Sequence, residues 1–227
     1  MPPFGIPIEN YSTEIIYSFV IILCSLLIFV GTKKLYELSS HKGIQYLRES
    51  FLFFAIAFFF GSFIKIFFTL SNSSMLRGMS QIIFQSLSLF IFIYFSSIAV
   101  FYLIYSMMWK RWNGHSKKIW LFHVLGFLIS TISILLNSAR IYFLINFLIL
   151  IFILLSLYFV RHDSKKQKKK KTDIYAVYIL LFVFWMLNVI DVLIPKFFEE
   201  IQLIIYLASI GIFMAVLYKV LKKSGAN

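Results

Sequence analysis

The sequence predicts an all-α integral membrane protein, a bundle of seven transmembrane helices with its N-terminus outside and its C-terminus in the cytoplasm. Three observations predict it. The 227 residues are 61% hydrophobic and only 14% charged, with a mean hydropathy of +0.89, a composition outside the range of soluble domains. Apolar runs of about 20 residues, the length that crosses roughly 30 Å of hydrocarbon, recur seven times along the chain. The Lys and Arg residues between those runs fall on alternate connections, as the positive-inside rule requires.

The predicted spans are 13–32, 50–70, 82–108, 119–137, 141–160, 174–194 and 201–219, forming a single transmembrane domain. The first follows a segment without a basic n-region and ends in Gly31-Thr32-Lys33-Lys34 with no A-x-A-like site, so no cleaved signal peptide is expected. It holds Cys24, the one cysteine, which excludes an intramolecular disulfide and a cysteine zinc cage and reads as a small packing residue. Trp109, Trp112 and Trp120 bracket the third and fourth spans, where amphipathic rings favour the interface. The fourth and fifth spans are joined at Asn137-Ser138-Ala139-Arg140, which must be a very tight hairpin.

Orientation follows from the charges. Connections 33–48, 109–118 and 161–173, with the C-terminal end, carry eighteen Lys and Arg residues; the opposite side has Arg77, Arg140 and Lys196 alone. The formal charge of +13 therefore reads as a topology determinant and a contact for anionic lipid head groups, not as a nucleic-acid footprint. Its densest part, Lys165, Lys166, Lys168, Lys169, Lys170 and Lys171, is a solvated clamp that also offers a docking strip to a lipid head group or an acidic membrane or cytoplasmic protein partner. The triplets Asn10-Tyr11-Ser12 and Asn72-Ser73-Ser74 fit the N-glycosylation pattern and fall on the outer side.

Small and polar residues at helical spacing mark faces that pack inward in lipid. The fourth span has His123, Gly126, Ser130, Ser133 and Asn137; the third has Gln85, Ser88, Ser96, Ala99 and Ser106; the second has Ala57, Gly61 and Lys65. These three are expected to line the interior. The sixth adds Trp185, Asn188 and Asp191, and the seventh places Ala208, Gly211 and Ala215 on one side, whereas the fifth, nearly uniform in Leu, Ile and Phe, is expected at the periphery. Ordinary helix packing explains every stripe; a ligand or ion cavity is the sharper alternative.

Ionisable groups inside a membrane cost roughly 2.5–3.5 kcal/mol at a helix centre, so each is a functional candidate. Lys65 lies five residues before the end of the second span and Asp191 three before the end of the sixth, both toward the outside. They are candidates for an ion pair at an outer polar pocket, supported by Asn188, although Lys65 can also snorkel to the interface. Gln85, Ser96 and His123 complete the candidate pocket residues, and His123 is the type of side chain that titrates near neutral pH. The sequence implies no cofactor, no metal site and, lacking G-x-S-x-G, P-loop, H-E-x-x-H and C-x-x-C patterns, no enzymatic chemistry.

Seven spans in this orientation resemble the rhodopsin and receptor-like architecture, in topology alone. Rhodopsins carry retinal on a lysine midway along the seventh helix, and this sequence has none between Lys196 and Lys219. The shape also resembles the sensor modules that precede bacterial signalling domains, but no kinase or cyclase domain is expected after residue 223. The functional expectation is thus a receptor-like or regulatory module, multi-pass in the cell membrane, with a small transporter or channel, or a structural subunit of a membrane complex, as alternatives.

Overall fold

The computed structural model describes residues 11–70, 79–109, 111–112, 117–136, 139–166, 173–193 and 199–224. Among them are seven α-helices and no strand: α1 (Tyr11–Ser39), α2 (Lys42–Leu70), α3 (Met79–Met108), α4 (Lys117–Leu136), α5 (Ala139–Lys166), α6 (Asp173–Leu193) and α7 (Glu199–Ser224). Six are long and apolar enough to cross a membrane, and α6 contributes a shorter apolar stretch, Tyr175–Ile190. The chain is therefore a polytopic helical membrane protein.

Each predicted span matches one helix, apart from residues 137 and 194, which lie outside the described residues, and several helices outrun the spans. The connection expected over 33–48 shrinks to two residues, because α1 continues to Ser39 and α2 begins at Lys42. Ser40 ends α1 in the left-handed region (φ 49°), and its N–H donates to the Tyr36 carbonyl at 2.7 Å, the bond that an αL cap supplies. His41 then starts α2: its carbonyl accepts from the Ile44 N–H and its Nδ1 from the Gly43 N–H. Polar residues at the membrane surface can stay helical when their caps are satisfied, so the end of a hydrophobic run does not mark the end of a helix. In the same way α5 continues to Lys166, through the start of the segment predicted as a connection. The hairpin residues 137–138 lie outside the described residues.

Hydroxyls set the register of α2 on α3. Ser106 Oγ donates to the Gly43 carbonyl at 2.6 Å, Ser50 Oγ to that of Ala99 at 2.7 Å, and Ser88 Oγ to that of Phe60 at 3.1 Å. Moving from one pair to the next advances about as many residues on one helix as it goes back on the other, as an antiparallel pair must. Along α1 and α7 the pairs are parallel: Tyr17 stacks on Tyr206 at 4.5 Å, Cys24 Sγ meets Met214 Sδ at 3.6 Å, and Gly31 faces Leu221.

Neighbouring contacts run α1, α2, α3, α5, α6, α7 and back to α1, a closed ring of six helices, with α4 packed on the outside of α3 and touching α5 lightly. This corrects one expectation. Of the spanning windows, α3 is 61% buried and α4 only 22%, against 28% for α5, which adds Ile149, Ile153 and Leu157 to the core. The stripe on α4 faces inward in one sense only: Gly126, Ser130 and Ser133 are buried, and Gly126 turns to α3, where a Cβ on it would lie 3.1 Å from Ile98 Cγ1. Replacing Gly126 with Leu is therefore expected to lift α4 off α3 at a cost of about 1–3 kcal/mol, read as a lower unfolding midpoint in detergent; an unchanged midpoint would exclude the close approach.

The predicted α7 stripe is also corrected. Ala208 and Gly211 are exposed, and nothing lies within 4 Å of a Cβ on Gly211. The buried face is instead Ile205, Ser209, Phe213, Val216 and Val220. Small residues permit close approach but do not compel it, and here the bulky face fills the ring interior.

Candidate functional site

Two places gather side chains of functional interest. The first is the middle of the ring. Phe51 and Phe54 reach across from α2 to Phe184 of α6 and Phe213 of α7, and none of the four is more than 2% exposed. Their rings meet edge to face, Phe184–Phe213 at 4.6 Å, Phe51–Phe213 and Phe54–Phe184 at 6.1 Å and Phe54–Phe213 at 6.3 Å. This is the offset geometry that the aromatic quadrupole favours. Ala99 and Leu103 of α3, Ile153 of α5 and Leu181 of α6 are equally buried and fill the rest of the section. The interior here is an apolar aromatic plug.

Toward the N-terminal ends of α1 and α7, polar groups reappear above the plug. One helical turn from Phe213, Ser209 is fully buried. Tyr206, a turn further, accepts from Gln202 Nε2 at 2.8 Å and stacks on Tyr17, which in turn packs edge to face on Phe58. Asn188 is half-buried on α6 and donates through Nδ2 to the Phe184 carbonyl of its own helix. On the opposite side of the plug, Tyr178 donates to Ser106, which donates to the Gly43 carbonyl, so one hydroxyl chain ties α6, α3 and α2.

The second place is the seam of α2, α3 and α4. His123 stands on α4 with both ring nitrogens occupied, Nδ1 at 3.0 Å from the Tyr94 hydroxyl and Nε2 at 3.2 Å from the Tyr102 hydroxyl, both on α3. Phe53 of α2 packs edge to face on the imidazole, with centroids 6.3 Å apart, and on Tyr102 at 5.0 Å. Tyr46 of α2 also packs on Tyr102. Glu49, on the same helix and half-buried, accepts from Gln45 Nε2 at 2.9 Å and lies within electrostatic range of Tyr46 and Tyr102.

The predicted pocket residues are thus not gathered in one place. His123 belongs to the seam, and Asn188 lies above the plug. Ser96, which is buried, donates to the Ile93 carbonyl of its own helix. Lys65, Gln85 and Asp191 fall within α2, α3 and α6, but their side chains lie outside the described residues, as do those of Lys165 and Lys166. Lys168, Lys169, Lys170 and Lys171, with Asn10 and the triplet Asn72-Ser73-Ser74, are outside them altogether. Sequence reasoning passed over Glu49, Tyr94, Tyr102 and the four phenylalanines. Glu49 sat next to a predicted loop, and a tyrosine among apolar residues carries no pattern of its own.

At the end of the bundle that holds the α1–α2 turn, cations lie over aromatic rings: Arg48 over Phe29 at 4.2 Å, Arg111 over Phe159 at 4.6 Å, Lys42 over Trp109 at 5.6 Å and Lys222 over Tyr218 at 5.8 Å. Arg48 Nε also donates to the Phe29 carbonyl at 3.1 Å. Rings and basic heads are layered together, the arrangement expected where a bundle passes from hydrocarbon to head groups.

No family model matches the chain, and no solved structure matches it. An uncharacterized protein of Archaeoglobus fulgidus is 30% identical to it over 228 residues, an alignment that covers 98% of this chain and 97% of that protein.

Proposed function

The chain belongs to the same family as this Archaeoglobus fulgidus protein, and we propose that it is a receptor-like or regulatory module of the cell membrane, with seven spans, an outside N-terminus and no enzymatic activity. The observation that carries this reading is the aromatic plug. Phe51, Phe54, Phe184 and Phe213 close the ring with edge-to-face packing and negligible exposure, whereas a transporter needs a polar path and an interrupted helix at its midplane. Ser209 and Tyr206 lie on one side of that plug and the Tyr178–Ser106 pair on the other. Such a solid bundle transmits a signal by small shifts between packed helices, which are bistable rather than continuously deformable.

The outer pocket of this module comprises Asn188 with Lys65 and Asp191, and its basic end contacts anionic lipid head groups and a membrane or cytoplasmic protein partner. The layer of cations over aromatic rings supports the assignment of that end to the cytoplasmic surface. The eighteen-to-three division of Lys and Arg supports it as well.

Single cysteines at Gln85, Ser96, His123 and Asn188 in a Cys24→Ser background, treated with membrane-impermeant thiol reagent from either side, test the reading. Reaction at Asn188 from outside only, with Ser96 silent, is expected. Reaction of Ser96 from both sides would identify a water-filled path and make the protein a transporter or channel.

A further inference from the structure

His123 is the polar anchor of the one helix that stands outside the ring. We propose that His123 is a proton-binding site through which pH sets how tightly α4 is held to the α2–α3 pair. The inference deepens the regulatory reading and rests on it for its purpose, but its geometry is independent of the plug.

A neutral imidazole ring has one N–H and one bare nitrogen, and each nitrogen faces a tyrosine hydroxyl, at 3.0 Å and 3.2 Å. One hydroxyl must donate to the ring while the other accepts from it. When a proton from the aqueous surface adds to the bare nitrogen, both nitrogens become donors. The hydroxyl that had donated now has to accept, and its own hydrogen must find another acceptor. A bond that linked α4 to α3 is thereby exchanged for one that needs a new partner.

The surroundings decide which state holds α4 in place. From α3 the titratable groups at the ring are Tyr94 and Tyr102; from α2 they are Tyr46 and Glu49, the latter engaged by Gln45. The described titratable groups of α5, Tyr158, Arg161 and His162, stand in its last turns toward the basic end. Glu49 is the one anion among these groups. Arg48 on its own helix already lies within electrostatic range of it and Gln45 bonds its carboxylate, so its charge is partly engaged before the ring takes up a proton. An imidazolium confined there also loses water, which is costly without a fully paired counter-ion. Because α4 is attached mainly to α3 and is the least buried of the spans, the economical response is for its basic end to move outward and hydrate the ring. Acidification is therefore expected to loosen α4.

Spin labels at Lys33 on α1 and Leu121 on α4, both exposed, report the gap in lipid nanodiscs on a Cys24→Ser background. One distance is expected at pH 8, and a second, longer component at pH 5. In His123→Gln, which bonds both hydroxyls but does not titrate in this range, the distribution is expected to be the same at the two pH values. A wild-type distribution that does not change between pH 8 and pH 5 overturns the proposal, as does an equal response in His123→Gln. If that variant does not fold, the ring nitrogen resonances of the wild type decide: signals that do not titrate between pH 5 and pH 8 also overturn it. None of these failures touches the thiol-labelling pattern by which the regulatory reading itself stands or falls.

Discussion

Replacing Phe213 with Ala is expected to be among the most damaging single changes, lowering stability by on the order of 3 kcal/mol. Phe213 is fully buried and touches all three other members of the plug, with Phe184 the nearest at 4.6 Å. In lipid the gain from leaving water is already made when a helix inserts, so what holds helices together is packing. An alanine removes partner atoms from Phe51, Phe54 and Phe184 at once and leaves a hole enclosed by helices that cannot simply collapse, because α1 and α6 flank α7 on both sides. Unfolding in a graded anionic detergent measures the loss. Phe59, 49% exposed on the outer face of α2, is the matched control, and its replacement with Ala is expected to change stability by less than about 0.5 kcal/mol.

Ser106→Ala is expected to cost about 1–3 kcal/mol, far more than the loss of a single oxygen atom suggests. Ser106 is the middle of a chain in which Tyr178 donates to it and it donates to Gly43. Its loss leaves a buried tyrosine hydroxyl without its acceptor and the Gly43 carbonyl without this donor. Tyr178→Phe removes the orphan instead of creating it, so it is expected to cost less, and the double variant should be closer to Tyr178→Phe than to the sum of the two. Stabilities that simply add would show that the two hydroxyls do not act as one unit. Crowding reinforces the site, since a Cβ on Gly43 would lie 3.1 Å from the Ser106 carbonyl oxygen.

These positions show what was legible in the sequence. Ser88, Ala99 and Ser106 were visible as a stripe on the third span, and the helix does present them to α2, because a hydroxyl or small side chain in lipid has few places to be satisfied except against another helix. Gly126 and Ser130 were legible for the same reason. The plug was not. Phe213 is fully buried and Phe19 is 64% exposed, yet both are phenylalanines in apolar runs. Lipid and protein interior are equally apolar, so hydropathy that marks a core in water marks nothing here. Ala208, Gly211 and Ala215 misled in the opposite direction, because spacing alone cannot say whether a stripe meets a helix or lipid. The His123 clamp lay between these cases: the histidine stood out, but its tyrosine partners come from residues 94 and 102, which only the antiparallel pairing of α3 and α4 brings to one ring.

The most direct test of a dry ring interior is thiol reactivity at two small buried residues, with Ser25→Cys and Ser209→Cys made separately in the Cys24→Ser background. Both positions are fully buried in the ring, on α1 and α7, and the exchange of oxygen for sulfur disturbs packing little. Neither cysteine should react with a small impermeant reagent applied from either side, and both should react after denaturation. Modification of either one in the native protein from both sides would place a continuous water path where the aromatic plug stands, and would contradict the regulatory reading.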